Sequence, residues 1–100
     1  MEADDFLERV DAIVARAPQL SPLDGAVLAS LDAEIAADSR SFAKVFGVAH
    51  ALVLRAVSEL ADGFGLVAVT DRDARTQRTK LALTEAGRRL LAGRSDALPA

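Results

Sequence analysis

The hydrophobic period of the chain changes once, and that change limits the folds open to it. In the N-terminal part apolar residues recur at helical spacing: Phe6, Leu7, Val10, Ile13, Val14 and Ala17 form one stripe of a 3.6-residue helix that ends before Pro18. The helical pattern persists until Ala61-Asp62-Gly63-Phe64-Gly65 breaks it. Beyond that break, Leu66-Val67-Ala68-Val69-Thr70 and Thr79-Lys80-Leu81-Ala82-Leu83 read as two short strands, joined by the polar loop Asp71 to Arg78. A run of helices followed by a single hairpin is neither a barrel nor a sandwich. Composition agrees, because 21 alanines and four aromatic residues, all Phe, favour helices packed through small aliphatic side chains.

Helix boundaries are legible between these landmarks. Ser21-Pro22-Leu23-Asp24 offers an N-cap, a proline at the first helical position and an acid at the third, so a second helix is expected there, with Leu23, Val27, Leu31 and Ile35 recurring every four residues. Asp38-Ser39 is a further cap, and Phe42, Ala43 and Phe46 give a short helix closed by Gly47, which forces a tight turn. Val48, Val53, Val57 and Leu60 carry the pattern onward. Thr84-Glu85-Ala86-Gly87 caps a last helix with Leu90 and Leu91 on its apolar side, and fraying is expected from Gly93 to Ala100. No repeat, linker or second domain is visible. The expectation is one domain over residues 1–100, with an N-terminal helix (1–17) available for dimerisation, a helix-turn-helix (39–61), a hairpin wing (66–83) and a closing helix (84–93). The fold class is mainly α with a small β-hairpin, in the element order of a winged helix-turn-helix.

Several function classes lose support on residue inventory. With no cysteine and one histidine there is no thiol nucleophile, no disulfide framework and little for a metal site. No glycine-rich phosphate loop or nucleophile–base pair is visible, so neither an enzyme nor a cofactor is expected. No apolar run is long enough to span a membrane and the start is acidic, so the expected location is the cytoplasm.

Charge is unevenly placed. The chain carries a net charge of -3, but residues 1–38 hold nine acids against Arg9 and Arg16, while residues 71–100 hold seven bases against four acids. A basic end on an acidic body suits either a nucleic-acid footprint or a merely solvated face.

The stretch from Ser39 to Val48, followed by Val53, Arg55, Val57 and Leu60, then Gly65-Leu66-Val67 and Leu83-Thr84-Glu85-Ala86-Gly87, resembles the multiple antibiotic resistance regulator (MarR) family of bacterial transcription factors. The similarity covers roughly residues 20 to 92. It implies a homodimer bound to a palindromic operator in double-stranded DNA, with the helix at about Ala49 to Ala61 in the major groove and the wing tip, Thr70 to Arg78, on the flanking backbone or minor groove. Many relatives also respond to a small-molecule effector. Carried onto this chain, the DNA-contacting candidates are Arg40 and Lys44 on the short helix, His50, Ala51 and Arg55 on the recognition helix, and Arg72, Arg75, Thr76, Arg78 and Lys80 in the wing. Within the wing, the family pattern pairs Asp73 with Arg75; within the helix, Arg55 has an alternative partner in Glu59.

The start of the recognition helix departs from the family pattern. Ala49, His50, Ala51, Leu52 and Leu54 stand where small polar residues are usual, so the side-chain cap and several donors to DNA are missing. A competing reading follows: a winged-helix interaction module, an adaptor or antirepressor, that uses Leu52 and Leu54 against a protein partner.

Overall fold

A computed structural model describes residues 3–92, which form five α-helices and a two-stranded antiparallel sheet. Helix α1 spans Ala3–Arg16 and α2 spans Pro22–Asp32. At the start of α2 the Ser21 hydroxyl accepts from the Asp24 amide while the Asp24 carboxylate accepts from the Ser21 amide, each at 3.1 Å. This reciprocal cap satisfies two otherwise free amides, an arrangement worth about 1 kcal/mol. Gly25 lets α1 cross closely, since a Cβ there would lie 3.1 Å from Val14 and 3.3 Å from Val10.

Helix α2 is shorter than its four-residue apolar spacing suggests. It ends at Asp32, Glu34 turns the chain with φ 58, and Ile35 is left 43% exposed instead of continuing the buried face. The Ile35 amide closes the turn on the Ser30 carbonyl at 2.9 Å.

Helix α3, Ser39–Phe46, starts on Asp38, whose carboxylate accepts from the Ser41 amide at 2.9 Å, and closes on Gly47 in the left-handed conformation at φ 67. That φ is the one glycine tolerates without steric penalty. Helix α4, His50–Ser58, follows directly; its cap residue Ala49 makes no side-chain hydrogen bond. The expected extent to residue 61 is met in a different geometry: Glu59–Gly63 is one wider, π-helical turn, closed by the Phe64 amide on the Glu59 carbonyl at 3.0 Å.

Strands β1, Val67–Arg72, and β2, Thr79–Leu83, pair antiparallel. Strand β1 begins and ends later than the apolar run Leu66–Thr70, because the pairing runs on through the polar Asp71 and Arg72. The register runs from Val67 opposite Leu83 to Val69 opposite Leu81, then jumps to Asp71 opposite Lys80, so Thr70 is a bulge. The far side of β2 is also engaged: the Leu81 amide donates to the Ala37 carbonyl at 2.9 Å, and Asp38 bridges to Lys80. Helix α5, Glu85–Leu91, is capped by Thr84, whose hydroxyl accepts from the Gly87 amide at 3.1 Å. The last position of the expected 84–93 helix, and the expected fraying beyond it, lie outside the described residues.

The core joins all of these elements. Val10 and Ile13 of α1 and Ala17 just after it pack with Leu28 and Val27 of α2, Phe42 of α3, Val53, Val57 and Leu60, and Leu66, Val67 and Leu81 around the hairpin. Phe42 stacks on Phe46, which in turn meets Phe6 of α1. Leu7, on the edge of the α1 stripe, is 59% exposed. Among the described residues no helix is long and apolar enough to cross a membrane.

Candidate nucleic-acid interface

Three pieces of chain meet where α3 begins. Ser39, fully buried, accepts through its hydroxyl from the Thr79 amide of β2 at 2.9 Å, and lies 2.7 Å from Nε2 of His50 at the start of α4. The same hydroxyl points at the Gln77 carbonyl at 3.4 Å, while Thr79 donates its own hydroxyl to that carbonyl at 3.0 Å. One buried oxygen thus ties α3, α4 and the hairpin together.

A second set of contacts braces the loop between the strands. Arg40 donates to the Thr76 carbonyl at 2.7 Å, and Arg78 pairs with Asp38 at 3.5 Å. The Asp73 carboxylate shapes the tip by accepting from the backbone amides of Arg75 and Thr76 at 2.8 and 3.1 Å, and the Thr76 hydroxyl accepts from the Arg78 amide at 3.2 Å. Gln77 completes the turn with φ 62. Arg40, Asp73, Thr76 and Arg78 line an open cavity of about 310 Å³.

These contacts set the local electrostatics. Burial alone would raise the Asp38 carboxyl, but the amide and hydroxyl of Ser41, with the Arg78 guanidinium, hold it below the ordinary carboxylate range. Burial, followed by the positive charge of Arg40, pushes His50 below the usual imidazole value, with Asp38 pulling the other way. His50 therefore stays neutral at pH 7 and shares its proton network with Ser39.

Nine of the ten candidate residues separate into two groups, with Arg72 between them. Arg40, His50, Thr76 and Arg78 are brought together and are engaged with the protein itself, and Lys80 joins them through its backbone bridge to Asp38. Arg75, Lys44, Ala51 and Arg55 are exposed, and the side chains of Arg75, Lys44 and Arg55 make no hydrogen bond or ion pair among the described residues. Arg72 is exposed and touches Thr79 at a long 3.4 Å. Two expected ion pairs take other forms: Asp73 holds the Arg75 backbone and not its guanidinium, and Glu59 faces Asp24, not Arg55 alone. Of the two leucines read as a partner surface, Leu52 is 49% exposed while Leu54 is half-buried.

No family model, curated protein or solved structure matches this chain.

Ser39 and Asp38 matter more than their sequence positions indicate. The pair is legible as a helix cap, yet its contacts with Thr79 and Arg78 span 40 residues each, and no local spacing reports them.

Proposed function

We propose that the chain is a DNA-binding transcriptional regulator of the winged helix-turn-helix type, similar to the MarR family, acting as a repressor-like homodimer on an operator in duplex DNA. In this reading α3, the Gly47 turn and α4 are the helix-turn-helix, α4 lies in the major groove, and β1 and β2 are the wing. The observation that carries it is the junction at Ser39, which fixes the start of α4 and the arginine-bearing loop in one frame. A rigid frame suits simultaneous contact with base edges and flanking phosphates. Arg75 and Arg72, exposed on the hairpin, are the phosphate contacts; Arg40 and Arg78 act chiefly by bracing it.

Selection of duplexes from a random library, followed by titration at several salt concentrations, tests the reading. Replacing Arg72 and Arg75 with Ala is expected to weaken binding to every duplex and to flatten the logarithmic salt slope by about 0.9 for each phosphate that is no longer neutralised. An unchanged slope removes the hairpin from the interface. A second reading, a protein-interaction module, draws on the exposure of Leu52 and is favoured if the chain enriches no duplex.

A further inference from the structure

We infer that α4 discriminates DNA sequences through the 5-methyl group of thymine, with Leu52 and Ala51 as the specificity-determining residues. This rests on the DNA-binding reading above. The outward surface of α4 is made by Ala51, Leu52, Arg55 and Ser58, since Val53, Ala56 and Val57 are buried and Leu54 is half-buried. His50 would be the first polar side chain of that surface, but its Nε2 is 2.7 Å from the buried Ser39 hydroxyl and is already engaged. Among the described residues, the only side-chain polar atom the first turn of α4 leaves without a partner before Arg55 is Nδ1 of the partly buried His50, and the exposed Ala51 and Leu52 offer none.

Chemistry then narrows what such a turn can recognise. In the major groove every base edge presents polar atoms, and only thymine adds an apolar group at C5. Placing Leu52 against an amino group or a ring nitrogen would strip water from it with no hydrogen bond in return. Placing it against a methyl buries apolar surface on both sides. Leu52 is available for this, being 49% exposed.

Charge selects DNA over a protein as the occupant. His50 ties the start of α4 to the hairpin through Ser39, and the hairpin carries the exposed Arg72, Arg75 and Lys80. The hairpin also carries Asp71 and Asp73, but Asp73 is turned onto the loop's own amides and the four cations Arg72, Arg75, Arg78 and Lys80 outnumber the two acids; Glu59 and Asp62 lie past the far end of α4. An apolar contact next to clustered cations fits a polyanion that displays methyl groups, and it confines base reading to the Ala51, Leu52 and Arg55 end of the helix.

The test uses duplexes that the chain itself enriches from a random library, synthesised as thymine and as deoxyuridine copies that differ only in the methyl. Binding is expected to weaken about fourfold for each contacted methyl withdrawn. The variant Leu52→Asn, altered at a half-exposed position, is expected to lose most of that discrimination, with Ala51 left as the only apolar contact. Equal affinity of the unaltered chain for both copies overturns the inference while leaving DNA binding standing. Full discrimination retained by Leu52→Asn overturns the assignment to Leu52. Failure to enrich any duplex is a different result: it overturns the DNA-binding reading and the inference with it.

Discussion

Ser39 shows how much can depend on a single hydroxyl. It has one proton to give and room to accept two, and the Thr79 amide, His50 and the Gln77 carbonyl use that capacity fully. Replacing it with Ala leaves a buried amide without an acceptor, at a cost of about 1–3 kcal/mol. Ser39→Ala is expected to lower the denaturation midpoint accordingly and to speed hydrogen exchange at the Thr79 amide more than at Leu81, whose acceptor is the Ala37 carbonyl. Equal exchange at both would remove Ser39 from its role as the junction. Local sequence identifies Asp38-Ser39 as a cap, and Asp38 is one; the second role of Ser39 is invisible there because it depends on a partner brought near only by the fold. Arg78 is the parallel case. A cation on a loop is easy to see, but its capture by Asp38 is a tertiary event.

At the scale of elements, the docking of α5 turns on Gly87. A Cβ at that position would overlap the Leu66 carbonyl oxygen, which also accepts from the Thr84 amide at 3.1 Å. Backbone meets backbone there, with no flexible side chain to yield. Gly87→Ala is expected to cost about 1–3 kcal/mol, the range for forced overpacking, in chemical denaturation. Gly63→Ala is the control, since nothing lies within 4 Å of its Cβ position, and it is expected to stay within about 0.5 kcal/mol. Thr84 as the cap is readable from local spacing, whereas the need for glycine three residues later is not, because the obstacle lies on another element. The end of α2 is hidden for a different reason. Leu23, Val27 and Leu31 set up a rhythm that Ile35 continues, and the helix stops at Asp32 with neither Gly nor Pro to mark it.

Across the whole molecule, a carboxyl pair links the two halves. Asp24 is fully buried at the start of α2, and among the described residues no amide or hydroxyl donates to its Oδ1. Glu59, on the turn after α4, is raised above its ordinary 4.5 first by the charge of Asp24, then by a hydrogen bond to it and by burial, with Arg55 opposing. A raised folded value means that the stabilisation from protonated Glu59 is complete below about pH 4.5 and is lost as the pH climbs through the folded value. Glu59→Gln keeps a donor without the charge. Its stability advantage over the unaltered chain is expected to widen from pH 4 to pH 8 in thermal melts; parallel curves would show that no proton is shared. His50 acts in the other direction, since its lowered value favours the neutral ring and its contribution fades as the pH falls through that value.

The Thr70 bulge bears on how molecules of this chain meet one another. Strand β2 is engaged on both sides, but among the described residues the outer edge of β1 has no partner. An open edge with Val67, Ala68 and Val69 along it could recruit a strand from a neighbouring molecule and seed aggregates. The bulge interrupts that template after three residues, and Asp71 and Arg72 place charges immediately beyond it. The irregularity in the hairpin thus guards the concentrated protein against adding strands to itself.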